Sequence, residues 1–179
     1  MSSFHYVLDH RDRLTGFGSH WDAQALRNGA PELLGERLLG SELFGYVSGA
    51  AAQAHLAAAF DAARRAETPV QLDYRCDTRS HARNFRMEVF ALGDGRLGVK
   101  HRLLGVAPFA RAALDLTDAG DRRLEVCANC CRVSDAGAWR ETGRAPTPPL
   151  FRNTSRICPD CHADRDRAIR RAHASPGIR

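Results

Sequence analysis

Two short brackets, Cys127-Ala-Asn-Cys130 and Cys158-Pro-Asp-Cys161, constrain this chain more than any other feature of it. Each holds two thiols on one tight turn. Two such turns supply the closed four-sulfur cage that structural zinc prefers, and such a cage adds directly to folding free energy. The 27 residues between the brackets exceed the usual spacing of about 15–20, which predicts one long loop. Gly143-Arg-Ala-Pro-Thr-Pro-Pro-Leu150 suits that loop, because its prolines lack backbone donors. The first residues, Met1-Ser2-Ser3-Phe4-His5, lack the charged and apolar blocks of a secretory leader. No apolar run approaches the ~20 residues that span a bilayer, so no membrane partner is expected. A cytoplasmic, reducing setting is expected, and it favours metal over disulfides for clustered cysteines. The expected cofactor is one structural zinc ion on Cys127, Cys130, Cys158 and Cys161.

The remaining pattern is that of an α+β protein. Phe4 to Leu8 and Leu14 to Phe17 flank the polar turn Asp9–Arg13 and predict a β-hairpin. Trp21 to Leu26 reads as a short helix closed by Asn28-Gly29, and Ser41 as the cap of a brief turn holding Leu43 and Phe44. The alanine-rich stretch from Ala50 to Ala66 predicts a longer helix with Ala52, Leu56, Phe60 and Ala63 on one buried stripe. After Thr68-Pro69, three runs alternate with period two: Val70 to Cys76, Phe85 to Ala91 and Leu97 to Leu103. Gly93-Asp94-Gly95 turns the chain between the last two. The result is a five-stranded antiparallel sheet with its helices on one face, followed by a small four-cysteine module. The 179 residues divide into a main domain over 1–107, a linker helix over 108–125, and a zinc module over 126–179.

Cys158-Pro-Asp-Cys161 also reads as a helix start, with proline in the first helical position and Asp160 at the positive end of the dipole. The first bracket is followed by a short hairpin through Arg132-Val133 and Trp139-Arg140, with Trp139 packing beside the module. Knuckle, hairpin and ligand-bearing helix together resemble a treble-clef zinc finger.

The order of elements resembles that of the PAS superfamily, and the chain is similar to small bacterial PAS proteins that end in two Cys-x-x-Cys pairs. The residues that carry the resemblance are Tyr6-Val-Leu-Asp9 with Arg13-Leu14, Asn28-Gly29, Pro31-Glu-Leu-Leu-Gly35, Tyr74-Arg-Cys-Asp-Thr78, Arg86-Met-Glu88 and His101-Arg-Leu-Leu104. In the tail they are Cys127 and Cys130, Arg132-Val133, Trp139 and Ile157-Cys-Pro-Asp-Cys161. Cys131 and His162 depart from the pattern and stand beside the cage. The resemblance implies a non-catalytic signalling protein, a sensor or regulator that works as a dimer with a protein partner.

Other chemistry is thinner. Phe60, Tyr74, Met87 and His101 are candidates to line a small-molecule pocket between sheet and helix, although any core contains such residues. Arg167, Arg170 and Arg171 put positive charge on the last helix and are candidate nucleic-acid contacts, against the simpler reading of a solvated face. His55 and His101 are candidate haem ligands, and Cys131 is a candidate redox thiol. The spacing predicts that His55, about 100° from Leu56, flanks the pocket, exposed or hydrogen-bonded. It predicts Cys76 in the core and Cys131 on a strand, pointing away from the metal. Cys158-x-x-Cys161-His162 has the spacing of haem attachment, but a second cysteine pair nearby favours zinc. No nucleophile elbow, phosphate loop or paired carboxylates appear, and the chain is predicted not to be an enzyme.

Overall fold

The computed structural model describes residues 3–78, 80–109, 124–135, 137–142 and 154–174. The first hairpin forms as its pattern predicts, with β1 over Ser3–Leu8 and β2 over Leu14–Phe17. Its turn is held by the Asp9 carboxylate, which accepts from the Arg11 and Arg13 N–H groups at 2.8 and 2.9 Å. Two short helices follow, α1 (Trp21–Arg27) and α2 (Gly35–Leu38), with single 3-10 turns at Pro31–Leu33 and Leu43–Tyr46. Ser41 does not cap that second turn; its hydroxyl donates backwards to Leu38 O. Helix α3 spans Ala50–Arg65.

Three strands close the sheet: β3 (Val70–Arg75), β4 (His81–Gly93) and β5 (Arg96–Pro108). The tight turn between β4 and β5 places Gly93, Asp94 and Gly95 all at positive φ. That is why two glycines stand there. The sheet order is β2-β1-β5-β4-β3, antiparallel throughout, with Met87 opposite His101 and Val89 opposite Val99. Inward residues Leu8, Val70, Val89, Leu97 and Val99 are fully buried against Phe60 of α3. Each such side chain contributes about 1.5–3 kcal/mol of burial.

Arg64 ties α3 to both hairpin ends, pairing with Asp12 and donating to Asp9 O and Gly95 O.

The tail forms a second, smaller sheet in the order β8-β7-β6-β9. Its strands are β6 (Glu125–Cys127), β7 (Val133–Asp135), β8 (Ala138–Arg140) and β9 (Thr154–Arg156), the last parallel to β6. Helix α4 spans Pro159–Ala174 and starts at the predicted proline.

Several expectations need correction. Strand β3 stops at Arg75, so Cys76 lies beyond the alternation and is exposed, 3.5 Å from the Arg83 guanidinium. Strands β4 and β5 extend well past the alternating runs, because a bulge between Asn84 and Phe85 lets pairing continue. Most of the expected linker helix, residues 110–123, and the loop 143–150 lie outside the described residues. The ends of that expected linker are strands, with Pro108 closing β5 and Glu125 opening β6.

Helix α4 carries two jobs. Its first turn bears Cys161, while Ala168, Ile169 and Ala172 pack into the core of the five-stranded sheet and α3. Thr68, ahead of β3, donates its hydroxyl to Ala172 O at 3.1 Å. This second cover widens the buried face of α3 to include His55, Ala59 and Ala62 beside the predicted Phe60 and Ala63. No helix among the described residues is long and apolar enough to cross a membrane.

Candidate metal centre

The four cysteines converge. Their sulfur atoms lie within 4.8 Å of one another, Cys127 Sγ being 3.8 Å from Cys161 Sγ and Cys130 Sγ 3.8 Å from Cys158 Sγ. A tetrahedron with metal–sulfur bonds of about 2.3 Å has edges of about 3.8 Å, so the two spacings fit a metal, whereas a disulfide needs about 2.05 Å. Cys127 and Cys158 are fully buried, Cys161 nearly so and Cys130 partly.

Local structure explains the convergence. Strand β6 delivers Cys127 into a turn whose ends are tied by Cys127 N–H to Arg132 O at 2.8 Å and Cys131 N–H to Cys127 O at 2.9 Å. Strand β9 pairs with β6 and delivers Ile157-Cys158 to the opposite side, where α4 begins and brings Cys161 round one turn. Ile157 and Trp139 pack around the sulfurs, as expected for the tryptophan.

Three of the four sulfurs are met by an N–H donor, the arrangement that orients metal ligands and tunes their basicity. The Cys158 N–H donates to Cys127 Sγ, Asn129 Nδ2 to Cys161 Sγ and Arg132 Nε to Cys130 Sγ, each at 3.3 Å. Arg132 also pairs with Asp160 at 2.8 Å. Side-chain hydrogen bonding with Cys130 and Cys161 holds Cys127 far below the usual thiol range. Its partners move the other way: the bond to Cys127 raises Cys161, and burial pushes Cys158 up to about 11. Four sulfurs this close share their charge poorly unless a cation lies between them.

Asn129 joins this cage to the main sheet. Its side chain donates to Asp73 O at 3.0 Å, and its carbonyl accepts from Arg75 N–H at 2.8 Å. The turn therefore covers the open edge of β3, a position that sheets must protect. Sequence reasoning missed Asn129, because nothing local to a bracket says which strand it meets.

Cys131 stays outside the cage. It sits in a turn at φ 60, not on a strand, with its thiol 3.9 Å from Arg75 O. Burial, aided by nearby Asp77, pushes that thiol up to about 12, against the activation a redox role needs. His162 is exposed on α4, its ring 6.2 Å from that of His55.

Of the four pocket candidates, Tyr74, Met87 and His101 line one apolar cavity of about 300 Å³. Phe60 does not; it lies a turn further along α3, fully buried in the core, with its ring 6.0 Å from Phe44. Tyr74 and His101 share a 2.9 Å hydrogen bond between Oη and Nδ1, and Phe4 stacks on the His101 ring at 4.7 Å. His55 also lines this cavity, which corrects its expected exposure: it is 3% exposed and its Nδ1 has no hydrogen-bond partner among the described residues. The reason is α4, which covers the side of α3 that the sheet leaves open. Burial holds His101 down to about 4; burial together with the neighbouring Arg165 and His162 does the same for His55.

Arg167, Arg170 and Arg171 are exposed on α4. Arg167 pairs with Asp164 and Arg165 with Asp166, which offsets part of that charge.

No protein-family model matches the chain, and no curated protein matches it either.

Proposed function

We propose that this chain is a non-catalytic regulatory protein of PAS-like build, in which a structural zinc ion fastens a treble-clef-like tail to a sensory or interaction domain. The observation that carries this reading is the cluster of four sulfurs within 4.8 Å of one another, two of the separations being 3.8 Å, with an N–H donor on three of them. A cage of four thiolates leaves no position for a reactive water, so its metal suits a fastening role better than hydrolysis. Two strands, a run of helices and a three-stranded meander in one sheet support the PAS-like reading. The cavity between α3 and the sheet is the place for a signal molecule, and a homodimer is the expected assembly.

Elemental analysis with native mass spectrometry of reduced, full-length protein tests this. One zinc per chain is the expected result. No bound transition metal, or the strong colour of an iron–thiolate centre, would overturn it.

The three exposed arginines of α4 favour a second reading, a nucleic-acid-binding regulator. Duplex DNA binding that falls steeply with salt would support it, and no binding at low salt would remove it.

A further inference from the structure

We propose that the cysteine cage and the apolar cavity are linked sites: metal in the cage fixes a wall of the cavity, and a small neutral, largely apolar molecule in the cavity tightens the hold on metal in return. This rests on the reading of the cage as a metal site.

The wall is built from the metal-binding turns themselves. Ala128 and Asn129, the two residues between Cys127 and Cys130, line the cavity, and so does Ile157, the residue before Cys158. The opposite sides come from Tyr74, Met87 and His101 of the sheet and Leu56 of α3. Both metal turns thus reach the cavity within one residue of a sulfur ligand.

The connection is also direct along the backbone. Asn129 bonds to Asp73 O and to Arg75 N–H, the two neighbours of Tyr74 in β3. Tyr74 in turn holds His101 across the cavity floor. A cation would hold both turns to one centre. Without it, the wall is held on this side only by the Asn129 contacts to β3, and Ala128 and Ile157 lose their common anchor.

The ligand class follows from the lining. Among the described residues, no Asp, Glu, Lys or Arg side chain lines the cavity, so a charged ligand would lose its hydration without a charged partner. A cavity of about 150 Å³ accepts benzene, so 300 Å³ suits a molecule of about two rings. The Tyr74–His101 pair and His55 offer it hydrogen bonds. Because coupling between two binding sites is reciprocal, each must raise the affinity for the other by one and the same factor.

Indole, neutral and bicyclic with one N–H, is the probe. Calorimetry on the full-length protein should show zinc-loaded chain binding indole about tenfold more tightly than chelated chain, a coupling of about 1.4 kcal/mol. Chelator competition should show indole raising zinc affinity by the same factor. Chelation can unfold the chain, so a second measurement keeps it folded. In cadmium-loaded protein, saturating indole should shift the metal's NMR resonance, and Ala52→Met, which fills the cavity, should abolish the shift while metal stays stoichiometric. No indole uptake by the metal-loaded chain, or an unmoved cadmium resonance, overturns the linkage. Those results leave the proposed metal site standing, whereas failure to bind metal at all removes both.

Discussion

Replacing Cys161 by serine tests the cage at the point where it meets the core. Cys161 is one of the four clustered cysteines that could hold a metal ion, and it stands on the first turn of the helix whose far end carries Ala172 into the main core. Structural zinc sites supply about 10–16 kcal/mol in apparent binding free energy. An equal quarter share is about 2.5–4 kcal/mol, or roughly 70- to 900-fold in metal affinity. At fixed free zinc the same amount is taken from folding stability, because metal binds the folded chain preferentially. For a chain of this size, that lowers Tm by about 5–16 °C. The assays are chelator competition for affinity and thermal unfolding, followed by circular dichroism, at fixed free zinc. Cys131→Ser is the control, since its thiol lies outside the cage, and it should leave zinc affinity unchanged. Unaltered zinc affinity in Cys161→Ser, or an equal loss in Cys131→Ser, would refute the assignment of ligands.

Asn129→Ala removes the side-chain donor to Cys161 Sγ and Asp73 O, and should weaken zinc binding about 10- to 100-fold without changing its stoichiometry. Arg64→Met deletes the part-buried bond to Asp12 and two backbone contacts, and should cost about 2–3 kcal/mol in a urea titration. His101, held down to about 4 by burial, stays neutral in the folded chain while the unfolded chain takes up a proton near 6.5. Its contribution is therefore intact above about pH 6.5 and is lost as pH falls towards 4, by about 3 kcal/mol. A His101→Gln variant should lack that part of the acid slope; an identical slope would exclude His101 as its source.

Alternating and helical patterns were legible where a single neighbour decides the outcome. Val70 and Leu72, Met87 and Val89, Leu97 and Val99 all face the core as period two requires, because each strand has one wet and one dry side. His55 shows where that logic ends. Its angle from Leu56 describes a helix with one cover, but α3 has two, and the second is a helix more than a hundred residues away in sequence. Cys76 failed for a related reason: alternation gave its side, but not that β3 ends one residue earlier.

What the chain carried in itself was its two cysteine pairs and its local periods, since two cysteines three apart and residues two or four apart meet through backbone geometry alone. Tertiary structure decided what those pieces touch. Only the folded chain lays the Cys127–Cys130 turn on the edge of β3 and wraps α4 over His55. Only there do Ala128, Asn129 and Ile157 become the wall of a cavity floored by Tyr74 and His101. Such contacts depend on how whole elements dock, and docking is set by the sum of buried surfaces instead of by the spacing of residues along one strand or helix.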